Sequence, residues 1–377
     1  MVSLSKTEIN VLNVVRTYGL ISRAEISRQI GLSKPIVSKV VSKFVTMGAL
    51  VEKERGLSSK RGGKKPILLS FVPNFKYIIA IDIGGTKMIA ALTDLEGRIL
   101  EKVDFSTKGI KNEEELISLV ITGVNTVMKV PKEEILTISI GIPGTVSRDD
   151  QIVHFMPAFN LREVHLAEEI NKRSGGLRVR LANDVTLNAL GEFWQGAAKG
   201  SKNMFLLSLG TGTGGAFVIN GKVYEGSHGM AGEIGYMITS WPHDKTLSDG
   251  FGSLEAWFSG HSFEKAIGGL IEKEVNLKKL FDSYESYPLF KKILTEGCEH
   301  LAIALSNTLM LFDPDVIVIT GGIGHNQYEL LMSLMRPTIE KVVPREIFDR
   351  VTFKKSLLGE LGVILGAVYY GQQGILL

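Results

Sequence analysis

The residues with the most chemistry stand at the ends of apolar runs. In IIAIDIGGTKMIAALTD, residues 78–94, Asp82 closes an aliphatic stretch and is followed by Gly84, Gly85, Thr86 and Lys87. An ionised carboxylate at the end of a buried strand needs a cation or hydrogen-bond donors, and Mg2+ with its waters would meet that need. The glycines let backbone N–H groups approach phosphate oxygens, Thr86 adds a hydroxyl and Lys87 a positive charge. Alone, the stretch is equally an ordinary hairpin with a glycine turn. The arrangement recurs, however. FLLSLGTGTGGAFVINGKVYEG, residues 205–226, sets Gly210, Thr211, Gly212, Thr213 and Gly214 between two apolar runs. VIVITGGIG, residues 316–324, ends a third run at Gly321 and Gly322. Two strand–turn–strand units plus a later glycine turn suit a nucleotide between two lobes. No GxxxxGK[ST] occurs, and Gly210–Gly215 leads into a strand, unlike a Rossmann glycine loop.

Two further polar points lie between these turns. ILTISIGIPGTVS, residues 135–147, reads as a strand ending in Gly-Pro-Gly. LRVRLANDVTLNALGEFWQG, residues 177–196, reads as a strand ending at Asn183-Asp184, then a helix. A carboxylate there could take the proton from a sugar hydroxyl attacking a γ-phosphate, with Asn183 binding neighbouring hydroxyls. Equally, Asp184 could simply cap the helix.

The segment ahead of these motifs has a different character. Residues 1–80 carry 14 Lys/Arg against 4 Asp/Glu, although the whole chain is only +3. A basic module on an acidic body suits a polyanionic partner. The spacing of Ile9, Leu12, Val15 and Tyr18 predicts a helix with a Ser5/Glu8 capping box. SRAEISRQI predicts a second, and SKPIVSKVVSKFVTMG a third, with Ser33 as N-cap and Pro35 in its first turn. Ile36, Val40, Phe44 and Val37 would face the core. Ser33, Lys34, Ser38, Lys39, Ser42 and Lys43 remain outside, suited to a major groove and its phosphates. LVEKERG and PILLSF read as wing strands whose basic tip offers Arg61, Lys64 and Lys65 to a minor groove. The alternative is a helical protein-interaction domain with a solvated lysine face.

The 377 residues suffice for two or three domains, and 44% of them are hydrophobic. A single cysteine, Cys298, excludes an intramolecular disulfide and a cysteine-rich metal site. It lies in a predicted buried helix. The chain shows no signal peptide and no apolar run of membrane-spanning length, so a cytoplasmic location with no membrane contact is expected.

Together these motifs resemble the ROK family of bacterial repressors and sugar kinases. DIGGTK at 82–87, GIPG at 141–144, ND at 183–184 and GTGTGG at 210–215 match its elements, while GEIG at 232–235 and GSLE at 252–255 resemble its sugar segment. The resemblance implies an α/β, two-lobed actin-like ATPase body, ribonuclease H-like in fold, behind an N-terminal winged helix-turn-helix. Domains are expected at 1–76, 77–195 and 196–377, with C-terminal helices packing back on the first lobe. It further implies Asp184 as catalytic base, and sugar contacts from Asn183, Asp184, Glu233 and Glu255. Phosphates of ATP, with Mg2+, would meet the turns at 84–87 and 211–214, with 320–324 towards the adenosine. Operator DNA, a sugar or sugar-phosphate effector, and a homodimer or homotetramer follow as implied partners. One departure stands out. Tyr236 occupies the place of a family histidine, and the following segment lacks the family's cysteine cluster, so no zinc is expected. His228, His243, Asp244 and Asp249 do not form a tetrahedral set. Packing around Tyr236, Trp241, Phe251 and Trp257 would replace the metal. The reading is a sugar-responsive regulator, with an ATP-dependent hexose kinase as the alternative.

Overall fold

Three helices and a small sheet open the chain in a computed structural model that describes residues 4–55, 66–147, 152–241, 252–268, 276–373 and 375–376. Helix α1 (Lys6–Tyr18) and helix α2 (Arg23–Ile30) each begin with a complete capping box, Ser5 with Glu8 and Ser22 with Glu25. Helix α3 (Lys34–Thr46) starts after Ser33 with Pro35 in its first turn, and the Ser33 hydroxyl makes no cap bond. Strand β1 (Ile21–Ser22), β2 (Leu50–Arg55) and β3 (Ile67–Phe71) form an antiparallel sheet in the order β1-β3-β2. Two details differ from the sequence expectation. On α1, Val11 is buried with Leu12 and Val15 while Tyr18 is exposed. On α3, the core face is Val37, Val40, Val41 and Phe44, and Ile36 is 46% exposed. A few tens of degrees of rotation about the axis separate these choices, which spacing alone resolves poorly.

The body contains two sheets of the same design. The first has β4 (Tyr77–Ile83), β5 (Lys87–Asp94), β6 (Ile99–Ser106), β7 (Ile135–Ile142) and β11 (Val179–Asn183), ordered β11-β7-β4-β5-β6. Strands β4, β5 and β6 meander antiparallel, and β7 and β11 add on parallel to β4. Strand β4 is apolar almost throughout because it is central, whereas edge strand β6 has exposed positions along much of its length. Helix α4 (Glu113–Val127) covers one face. A satellite sheet of β8 (Thr145–Val146), β9 (Val153–Met156) and β10 (Leu161–Val164) precedes helix α5 (Leu166–Arg173). Helix α6 (Asp184–Trp194) follows β11 directly.

The second sheet repeats the plan with β12 (Met204–Leu209), β13 (Thr213–Ile219), β14 (Lys222–Tyr224), β15 (Val316–Thr320) and β16 (Thr352–Lys355), ordered β14-β13-β12-β15-β16. Helices α7 (Ser253–Trp257), α8 (Gly260–Gly268), α9 (Leu277–Asp282) and α10 (Pro288–Phe312) lie between its halves in sequence, and α11 (Gly321–Asn326), α12 (Tyr328–Val342) and α13 (Arg345–Phe348) follow β15. Helix α10 buries Leu294, Cys298, Leu301, Leu305 and Leu309 at helical spacing. Helix α14 (Gly362–Gln372) then returns to pack on α6, β7 and β4. Contact between α6 and α14 is at backbone range. A Cβ at Gly191 would strike the Gly362 carbonyl, and one at Gly366 the Leu187 carbonyl. The other side of α6 packs Ala189 against Met204, Leu206, Ala216 and Val218 of the second lobe. No helix among the described residues is long and apolar enough to cross a membrane.

Candidate functional site

The glycine turns and the Asn183-Asp184 corner all lie at the carboxyl ends of strands β4, β7, β11, β12 and β15. Parallel strand ends are where open α/β sheets gather ligands. The first turn is closed by the Gly84 N–H donating to the Lys87 carbonyl (2.8 Å) and the Thr107 hydroxyl to the Gly84 carbonyl (2.7 Å). Gly85 and Thr86 are exposed on it. Lys87 does not point freely at this opening. Its Nζ lies 3.1 Å from Asp104 and 3.5 Å from Glu360. Neither partner was visible to motif reasoning, because both arrive from other segments.

The second turn is closed by the Gly210 N–H donating to the Gly212 carbonyl at 2.9 Å. Thr213 is turned inward: its N–H donates to Glu255 at 3.0 Å and its hydroxyl to the Phe258 carbonyl. Thr213, expected as a phosphate contact, thus has both its donors occupied within the protein. Glu255 lies so close to Gly212 that a Cβ there would collide with the carboxylate. Gly214 is already inside β13. Gly321 needs its glycine twice over, with φ of 86° and the Leu209 backbone where a Cβ would stand. Gly322 has open space instead, and a Cβ on Gly210 would come within 3.7 Å of the Gly322 N. The two turns therefore lie side by side.

At the β11–α6 corner, Asn183 is the cap. Its side chain accepts from the Thr186 N–H at 3.1 Å and donates to the Gly144 carbonyl at 3.0 Å. Asp184 is the first helical residue, with one oxygen accepting from the Val185 N–H at 2.9 Å. The capping alternative for Asp184 thus gives way to Asn183, which also ties the GIPG turn to this corner. Burial pushes the Asp184 carboxyl up to about 6, and the charge of Glu233 adds to the rise. Asp82 goes higher, to about 7, through burial and then the neighbouring Asp184 charge. Burial also raises Glu233, reinforced by Glu255, and raises Glu255 itself. Four carboxyls, Asp82, Asp184, Glu233 and Glu255, therefore form one coupled electrostatic group. A small recess of about 50 Å3 lies alongside, lined among others by Gly144, Asn183, Thr186, Glu225 and Glu233. Its only charged lining groups among the described residues are the two glutamates.

The segment expected to replace the metal packs differently from expectation. Trp257 stacks on His300 with centroids 3.9 Å apart, and the His300 ring bonds the Thr239 hydroxyl at 2.7 Å. Trp241 is 81% exposed and Tyr236 is 52% exposed. His228 is exposed, while His243, Asp244, Asp249 and Phe251 lie outside the described residues. Among the described residues no three His, Cys, Asp or Glu converge as a metal set.

On the N-terminal unit, Ser33, Lys34 and Lys39 are exposed and Ser38 is half-buried. Lys43, also expected on the DNA face, is partly exposed and paired with Glu8 of α1. Arg61, Lys64 and Lys65 lie outside the described residues.

A family model described as ROK family matches residues 78–373. The chain belongs to the ROK family. It is 29% identical over 381 residues to a putative xylose repressor of Caldicellulosiruptor sp. (strain Rt8B.4), covering 96% of this chain and 94% of that one. It is 30% identical over 314 residues to a glucokinase of Thermotoga maritima, covering 78% of this chain and 97% of the relative. A solved ROK family transcriptional regulator, a homolog of the E. coli MLC protein, superposes with a TM-score of 0.84 at 21% identity over 98% of both chains. The ROK chain is thus related to sugar kinases and to sugar-responsive repressors alike, and its body has the actin-like sugar-kinase fold.

Proposed function

We propose that this ROK protein is a sugar-responsive DNA-binding transcriptional regulator, acting as a repressor of carbohydrate transport or catabolism genes. The observation that carries the reading is the N-terminal unit. Three helices followed by a three-stranded sheet suit a winged helix-turn-helix, in which α3 would present Ser33, Lys34, Ser38 and Lys39 to DNA. The family match begins only at residue 78, after that unit, and the repressor relative covers 96% of the chain against 78% for the glucokinase. The wing tip with Arg61, Lys64 and Lys65 would reach the minor groove. A cytoplasmic homodimer or homotetramer would present two reading helices to a palindromic operator.

The recess beside Asn183, with Asp184, Glu233 and Glu255 at hand, is the proposed effector site. Carboxylates accept hydrogen bonds from sugar hydroxyls, and the two glutamates among the described lining residues disfavour a sugar phosphate. The test begins with selection of operator sequences from a random duplex library by the full chain. DNA affinity is then titrated with D-xylose, D-glucose, N-acetylglucosamine and glucose 6-phosphate. One neutral sugar should shift operator affinity and glucose 6-phosphate should not. A chain that enriches no sequence refutes the regulator reading.

A second reading, an ATP-dependent hexose kinase, has one specific support: Asp184 is relieved of capping by Asn183. Its raised carboxyl suits a general base towards a sugar hydroxyl. Asp82 and Asp184 are hard oxygen donors whose shared negative charge fits Mg2+. Gly84, Gly85, Thr86, Gly210, Thr211, Gly212, Gly321 and Gly322 would border the nucleotide. Bound ATP would supply the γ-phosphate, and Mg2+ would neutralise its charge.

A further inference from the structure

One turn of the first lobe receives three independent side chains. It runs from Asp94 to Arg98 between β5 and β6. The Leu95 carbonyl accepts from Arg16 Nη2 of α1 at 3.1 Å and from Gln372 Nε2 of α14 at 3.0 Å. The adjacent Glu96 carbonyl accepts from Gln195 Nε2, just past α6, at 2.7 Å. So the N-terminal unit and both helices of the α6–α14 pair end on two successive carbonyls.

The pair itself is stiff. Its glycines bring the two backbones into contact, and Trp194 packs on Tyr369 with centroids 5.5 Å apart. Helix α6 spans eleven residues, about 16 Å at 1.5 Å per residue. Its first turn holds Asn183 and Asp184, and its far end meets the Glu96 carbonyl. A displacement at the effector corner is therefore carried as a rigid body to the turn that holds Arg16.

The joint also has a spare donor and a spare acceptor. Arg16 Nη1 and Gln372 Oε1 are both buried and without a partner, although their sister atoms share one carbonyl. A buried unmet donor and a buried unmet acceptor each carry a cost. A small shift of α14 that lets them pair with each other would relieve both. Such a pairing would give the same side chains a second arrangement, which is what a coupling element requires. The apolar core runs unbroken across the joint, joining Val15 and Leu69 of the N-terminal unit to Leu95, Ile364 and Val368.

We propose that the Arg16–Leu95–Gln372 joint transmits effector occupancy from the α6–α14 pair to the DNA-binding unit. This rests on the regulator reading above. The test compares the full chain with Gln372→Leu, Arg16→Met and the milder Arg16→Lys. Affinity for the selected operator duplex is measured with and without saturating D-xylose, D-glucose or N-acetylglucosamine, and sugar affinity is measured separately by calorimetry. Wild-type coupling should fall between about 5- and 150-fold, the usual range for two linked sites. In Gln372→Leu and Arg16→Met the ratio should collapse towards one while sugar affinity stays unchanged, and Arg16→Lys should retain part of it. A merely structural role would lower melting temperature without moving the ratio, and a preserved ratio in folded variants overturns the joint. Absence of any sugar effect in wild type overturns the regulator reading, and the joint with it. Amide exchange of residues 94–98 in wild type supplies a second readout: sugar should change it, and an unchanged rate under demonstrated coupling counts against the joint.

Discussion

Asp184 shows how one position can carry two opposed demands. Its ordinary carboxyl value of 3.8 rises to about 6 in the folded chain, so the unfolded chain ionises first as pH increases. The contribution of this carboxyl to stability is therefore fullest below about pH 4 and is lost as pH rises through about 6, at about 1.4 kcal/mol per pH unit between the two values. Asp184→Asn should raise the melting temperature of the ligand-free protein at pH 7.5 and leave it nearly unchanged at pH 4. In the same variant, any sugar-dependent ADP release should fall roughly 10²–10⁴-fold, while sugar-free operator binding persists. Thermal melts at two pH values and a coupled ADP assay check both halves. Equal turnover in the variant would remove Asp184 from the base role.

Helix α3 allows a comparison of lysines on one element. Lys34 and Lys39 are exposed, whereas Lys43 is held by Glu8. Replacing Lys34 and Lys39 with alanine should weaken operator binding and flatten its salt dependence by a log–log slope of roughly 0.9 for each phosphate no longer neutralised. Lys43→Ala should leave the slope unchanged and cost at most about 1 kcal/mol of stability, as exposed pairs do. Fluorescence titrations across a salt series separate the two outcomes. The same helix marks where sequence reading succeeds and stops. Capping boxes at Ser5/Glu8 and Ser22/Glu25 were legible because both partners lie within one turn. The burial of Val41 in place of Ile36, and the engagement of Lys43, depend on how α1 meets α3, which spacing does not encode. The site divides along the same line. Glycine turns after aliphatic runs announce themselves, and so does the Asn183-Asp184 corner. That Glu255 occupies the Thr213 N–H, or that Asp104 and Glu360 hold Lys87, is settled by segments far apart in sequence. The cap on α6 lay within reach, since asparagine and aspartate both cap well, but the Asn183 bond to the Thr186 N–H shows which of the two serves.

At the scale of the molecule, α14 is the piece that prevents the parts from behaving separately. It follows the second lobe in the chain, packs on the first, and shares a core with the N-terminal unit. Helix α6 in turn contacts both sheets. Scanning calorimetry of the ligand-free chain should therefore give one cooperative transition whose calorimetric and van't Hoff enthalpies agree. Two well-separated transitions would show that the cores melt independently. The docking of α14 also bears on biosynthesis. The first lobe leaves the ribosome while the whole second lobe is still to be translated, and domains ordinarily fold as they emerge. Here the sides of β4, β7 and α6 that receive Ile364, Leu365 and Val368 must wait, apolar and uncovered, until that later helix arrives. During that interval the nascent first lobe presents an apolar surface of the kind that chaperones recognise. The N-terminal unit, made before the body, finds its full packing partners only after the body is complete.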